Sequence, residues 1–82
     1  TADLVTIQAW LIAWIHTQLK IPMDRIDMAK PIAVFGLSSM KAVRLQQDFL
    51  TKYGVNLPPY LFFEKISIEE LCSRALTLVR EN

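Results

Sequence analysis

The sequence predicts an all-α fold: a small four-helix bundle of three long helices and one short one, with a long loop between the first two. Three observations predict it. Apolar residues recur at spacings of three and four in three separate stretches, capping and stop residues bracket those stretches, and no second strand-like segment exists to build a sheet. The 82 residues are 52% hydrophobic and 21% charged, enough for one packed core and too few for two, so 1–82 is read as a single domain.

The first long helix runs from about Asp3 to Lys20. Leu4, Ile7, Leu11, Ile15 and Leu19 fall on one face. Trp10 and Trp14 lie one turn apart and off that face, which reads as packing at the core edge. His16 has no ligand-spaced neighbour and reads as a solvated side chain. Pro22 closes the stretch, because the residue before a proline avoids helical angles.

Residues 21–37 form the long loop, interrupted by Pro22, Pro31 and Gly36. Ile32-Ala33-Val34-Phe35 has a strand's composition but no partner strand. It is read as loop pinned to the core by Ile26, Ile32 and Phe35. Loops of this length in small domains usually serve a purpose.

The second helix begins at Ser38 or Ser39 and ends near Tyr53, with Ser38 as candidate N-cap and Gly54 as the stop. Ala42, Leu45, Phe49 and Tyr53 form its stripe, widened by Val43 and Leu50. Pro58-Pro59 opens one helical turn over Tyr60–Glu64, since proline at a first helical position loses no useful donor. The last helix starts at Ser67. Ser67 and Glu70 have capping-box spacing, and Ile68, Leu71, Cys72, Ala75 and Val79 make the stripe.

Composition excludes several function classes. Nine basic and eight acidic residues leave a net charge of +1, no field for nucleic acid or an anionic membrane. The longest apolar run, Ala9 to Ile15, is far short of the roughly 20 residues a membrane span needs. Cys72 stands alone, so neither an internal disulfide nor a cysteine metal cage is available, which fits a reducing, cytoplasmic compartment. It sits on a core stripe and reads as a small buried hydrophobe. No nucleophile–base pair, metal cluster or glycine-rich phosphate cradle is visible, so no catalytic or metal-binding residue is assigned. The chain starts without Met and reads as a processed protein or, by preference, a segment of something longer.

Chemistry concentrates at Val34-Phe35-Gly36-Leu37-Ser38-Ser39-Met40, where the loop meets the second helix. Glycine permits a tight turn there. A serine at a helix start holds its hydroxyl near unpaired backbone N–H groups and the positive end of the dipole, which suits a phosphoester. The same features suit a plain N-cap.

Gly36-Leu37-Ser38-Ser39-Met40-Lys41-Ala42-Val43 resembles the attachment motif of acyl carrier domains, usually Gly-x-Asp-Ser-Leu ahead of a helix with Ala-Val. Leu57-Pro58-Pro59-Tyr60-Leu61-Phe62-Phe63-Glu64 is similar to the Leu-Pro-x-Thr-Leu-x-Phe-Asp segment of polyketide synthase carriers, and Ile68-Glu69-Glu70-Leu71 matches the Ile-x-x-Leu that follows it. Ile26-Asp27 and Pro31 sit where such domains have their first loop. The resemblance covers nearly the whole chain, in order. It implies that Ser39 receives 4'-phosphopantetheine from coenzyme A through a phosphopantetheinyl transferase. The arm's thiol would bear acyl groups as thioesters for the acyltransferase, ketosynthase or other catalytic domains of a multienzyme, the carrier itself being non-catalytic. Gly36, Leu37, Ser38, Met40, Lys41 and Arg44 become candidate contacts for the arm or a partner.

Two departures stand out. Ser38 replaces the usual Asp and sets two hydroxyls side by side; Ser39 is preferred because it lies three after Gly36 and precedes apolar Met40. Lys65-Ile66-Ser67 replaces the usual Tyr/His-Pro-Thr, with Ser67 taking over the cap. Lys41, Arg44 and Lys52 outnumber Asp48 on the second helix, unlike the acidic surface of free-standing acyl carriers, and this suits a tethered domain. A peptidyl carrier of nonribosomal synthesis, usually Gly-Gly-x-Ser, fits Phe35-Gly36-Leu37 less well. A helical interaction module without an arm is the other alternative.

Overall fold

In the computed structural model, residues 3–81 are described, and three α-helices carry the fold: α1 (Leu4–Leu19), α2 (Ser39–Tyr53) and α3 (Ile68–Glu81). Short 3-10 turns at Met23–Arg25, Ile32–Phe35 and Pro59–Phe62 punctuate the connections, and no strand occurs among the described residues. The expected short fourth helix is the single 3-10 turn at Pro59–Phe62. It is only four residues long, and its bonds close over three residues, from Leu61 N–H to Pro58 O and from Phe63 N–H to Tyr60 O.

One apolar cluster holds the helices together. Ile7, Leu11 and Ile15 from α1 meet Ala42, Leu45 and Phe49 from α2 and Ile68, Leu71, Cys72 and Ala75 from α3. Leu57, Leu61 and Phe62 close the cluster from the connection after α2. Fully burying each large side chain contributes about 1.5–3 kcal/mol, so this cluster is the main source of stability. The buried stripe of α2 is narrower than its sequence suggested: Val43 stays 50% and Leu50 40% exposed.

The helix ends follow their local chemistry. Asp3 caps α1 by accepting from the Thr6 amide at 2.8 Å, and Gly54 ends α2 in the left-handed region with its N–H on Leu50 O. At the end of α1 that conformation falls on Lys20, a non-glycine, because Pro22 stops the helix from continuing. His16 has a partner after all. Its Nδ1 lies 2.8 Å from Ile21 O, just past the end of the helix, while the ring stays exposed.

The long loop is braced at both ends of its path. Ile32 is buried, and Ile26 and Phe35 pack partly buried against the core, as expected; the strand-like run itself is a 3-10 turn. Lys30 O accepts from Ile68 N at 2.9 Å and Met28 O from Glu69 N at 3.1 Å. Two loop carbonyls therefore cap the first amides of α3. Ser67 Oγ takes the third, from Glu70 N at 3.0 Å. The reciprocal half of the capping box is not formed: the Glu70 carboxylate turns toward Arg74, which also pairs with Glu64 at 2.9 Å.

Trp14 departs from its expected place at the core edge. It is only 6% exposed, and its indole N–H donates to Asp48 Oδ2 at 2.8 Å. Trp10 is the edge residue, stacked edge-to-face on Phe49 with ring centroids 5.5 Å apart.

Candidate modification site at the start of the second helix

Ser38 has extended backbone angles, and its Oγ accepts from the Lys41 amide at 3.2 Å. It is the N-cap of α2, which fixes Ser39 as the first helical residue. Ser39 is exposed, and its hydroxyl bonds to no other side chain among the described residues. The chain reaches it through Gly36 at φ 91, a left-handed angle that glycine adopts without strain. Open space surrounds that turn, since a Cβ built on Gly36 would meet nothing within 4 Å.

Electrostatics separates this helix start from the other two. The cap of α1 is the Asp3 carboxylate, held below its usual range by the Thr6 amide. The first turn of α3 carries Glu69 and Glu70, and its leading amides are already bonded. The cap and first turn of α2 carry no carboxylate. The amides of Ser39 and Met40 donate to no protein acceptor among the described residues. A 15-residue helix adds about half a unit of positive charge there. A phosphoester on Ser39 Oγ would therefore stand near two unpaired donors and a favourable dipole, with no carboxylate in the cap or first turn to repel it. The residues present fit a phosphate-linked group.

A protein-family model described as phosphopantetheine attachment site matches residues 9–75, from the middle of α1 to the third turn of α3. The chain belongs to the phosphopantetheine attachment family. This family is defined by covalent 4'-phosphopantetheine, which is the prosthetic group of the fold seen here. The chain is also 33% identical over 63 residues to polyketide synthase PksM of Bacillus subtilis (strain 168). That stretch is 77% of the present chain and 2% of the relative, so the chain spans a small fraction of that protein's length.

Within this phosphopantetheine-attachment fold the six candidate contact residues separate. Gly36, Ser38 and Met40 stay at the surface beside Ser39, with Met40 85% exposed. Leu37 is turned inward and is part of the core. Lys41 is partly buried and its Nζ lies 3.3 Å from Gln18 Oε1 on α1. Arg44 Nε donates to Asp48 at 3.1 Å. Both cations are engaged within the molecule. The arginine pair is legible in the i, i+4 spacing; the Lys41–Gln18 bond, 23 residues apart in sequence, has no local signal.

Other features carry no site. The apolar space between Ile7, Leu45, Phe49 and Phe62 amounts to about 10 Å³, room for no more than one water. Cys72 is buried, and burial pushes its thiol up to about 12. No group of three or more metal-ligating side chains occurs among the described residues, nor any helix long and apolar enough to cross a membrane.

Proposed function

We propose that residues 1–82 form one carrier domain of a polyketide-type multienzyme, with phosphopantetheine attached at Ser39. The observation that carries this reading is the free, exposed Ser39 hydroxyl at the head of α2, beside two unpartnered amides, in a chain of the attachment family. Ser38 is the neighbouring candidate, but its oxygen is already engaged as the cap. Similarity to a protein named polyketide synthase supports the acyl over the peptidyl type. When attached, the arm supplies a terminal thiol on which acyl groups are held as thioesters.

The chain's own part is to hold Ser39 on a rigid helix and leave space around it. Ser38 fixes the helix start, Gly36 turns the chain away, and the leading amides stabilise the phosphate charge. Catalysis is assigned to partners: a phosphopantetheinyl transferase for loading, and acyltransferase, ketosynthase or similar domains for use of the cargo.

Mass spectrometry after incubation with coenzyme A, magnesium and a broad-range transferase tests the reading. One arm should be added to the wild type and to Ser38→Ala, and none to Ser39→Ala. Loading at Ser38 alone, or a folded wild type that no transferase loads, would overturn it.

A further inference from the structure

No Asp, Glu, Lys or Arg occurs within α1, although 21% of the chain is charged. The exposed sides of the other helices carry charge, with Arg44 and Lys52 on α2 and Glu70, Arg74 and Arg80 on α3. The first helix is instead apolar on both sides. Ile7, Leu11 and Ile15 face the core. Val5, Ala9, Ile12 and His16 follow at spacings of four, three and four, so they form one row on the opposite side, with Ala13 beside it. Val5 is 74% exposed, Ala9, Ala13 and His16 are exposed, and Ile12 is half-buried. The contacts of α1 with α2 run through Trp14 and Gln18, so this row points away from the helix that bears Ser39. Single exposed apolar side chains are ordinary on a protein surface. A helix that is apolar all round has the composition of an interior helix. Charge returns only at the two ends, with exposed Asp3 as the N-cap and exposed Lys20 as the C-cap.

We propose that the Val5–Ala9–Ile12–His16 face of α1 is the contact through which two copies of this chain pair, antiparallel and about a two-fold axis. Charge selects the occupant. A partner with a charged surface would lose the hydration of its charges against a face that offers none in return, whereas a second α1 brings no charge to the centre of the contact. Charge also selects the direction. Antiparallel pairing sets Asp3 of each copy beside Lys20 of the other and opposes the two helix dipoles, while parallel pairing would set like charges together. The area sets the strength. The 16 residues of α1 span about 24 Å, and a strip about 10 Å wide buries roughly 500 Å² over both copies. Stable interfaces bury about 1,200–2,000 Å², so the pair is a weak one, with a dissociation constant of about 0.1–1 mM. Copies free at micromolar concentration are then monomers, and copies tethered in one assembly at millimolar effective concentration are largely paired. Pairing leaves the head of α2 uncovered and does not depend on which serine bears an arm.

Sedimentation equilibrium of the 82-residue chain between about 0.02 and 2 mM tests the pairing. The average mass should rise from monomer toward dimer with a midpoint in the range above, and should not pass the dimer, because a two-fold contact closes on itself. Val5→Lys and Ala9→Glu should each weaken association about tenfold or more, since either buries an unpaired charge at the contact. Lys20→Glu should weaken it about threefold, because it sets a carboxylate beside Asp3 of the other copy. Val43→Lys, a charge placed on an exposed position of α2, should leave it within about twofold. Circular dichroism verifies that the variants fold, and Val5→Lys keeps the test decisive because that side chain already stands in solvent. A chain that stays monomeric to about 2 mM leaves this face to a different protein and overturns the proposal. So does association that Val5→Lys and Ala9→Glu leave intact, and tighter pairing of Lys20→Glu overturns the antiparallel arrangement. None of these outcomes bears on loading at Ser39, so the carrier reading stands or falls by its own mass-spectrometric test.

Discussion

Replacing Asp48 with alanine removes the single group that links Trp14 of α1 to Arg44 of α2. The Asp48 carboxylate accepts the indole N–H at 2.8 Å and the Arg44 guanidinium at 3.1 Å. A hydrogen bond to a charged acceptor contributes about 1.5–3 kcal/mol, and its loss leaves the indole N–H of a buried tryptophan unpaired. The exposed i, i+4 pair adds about 0.3–0.5 kcal/mol. Alanine returns about 0.6 kcal/mol through its better helix propensity. The net expectation is a loss of about 1–3 kcal/mol, or roughly 2 M in urea midpoint at a slope of about 1 kcal/mol/M. Asp48→Asn keeps a neutral acceptor and should lose about half as much. Urea titrations followed by far-ultraviolet circular dichroism measure both, and near-ultraviolet dichroism reports Trp14 directly. An Asp48→Ala midpoint within about 0.5 M of wild type, with equal slopes, would refute the claim that this bond anchors α2 to α1.

Two further outcomes follow from the buried Tyr53 hydroxyl of α2 and the buried Cys72 thiol of α3. The Tyr53 hydroxyl is buried with no hydrogen-bond partner, so Tyr53→Phe should stabilise the chain by about 1 kcal/mol, and a destabilisation in urea titration would show that the hydroxyl is satisfied. Burial raises the Cys72 thiol from 9.0 to about 12 and raises Tyr53 as well. The folded state then keeps these protons after the unfolded chain has lost them. The thiol's contribution is whole below about pH 9 and falls as pH rises toward 12, by at most about 1.4 kcal/mol per pH unit. Urea midpoints should therefore drop with alkalinity, and Cys72→Ala should flatten the profile between about pH 9 and 10, before the tyrosine contributes. An equally steep profile in that variant would contradict the assignment.

Most of the helix chemistry was legible because it is local. The stripe Ile7–Leu11–Ile15, the Ser38 cap, the Gly54 stop and the start of α3 after Ser67 depend on residues within a turn or two of one another. Such signals survive without any knowledge of the fold. The same holds for Gly36 and for the placement of Ser39 at a helix start. Val43 and Leu50 were misjudged because helical spacing reports which residues share a face, not how wide a face the neighbours cover. The inward turn of Leu37 has no local signal, because a loop residue has no period from which to read its direction.

By itself the sequence determined three helices, where each begins, where the first two end, and a serine presented at the head of the second. It did so through backbone capping and side-chain periodicity, both of which act over a few residues. The tertiary structure alone decided how α2 is tied to its neighbours. The pairings Trp14–Asp48, Lys41–Gln18 and Gln46–Leu57, and the capping of α3 by Met28 and Lys30, join residues from 11 to 41 positions apart. Such contacts exist only once the core has fixed the helix orientations, because a hydrogen bond needs its partners within a few tenths of an ångström of one geometry. Lys41, a candidate contact in the sequence, thereby became a strut to α1, while Arg44 is tied to Asp48 within α2.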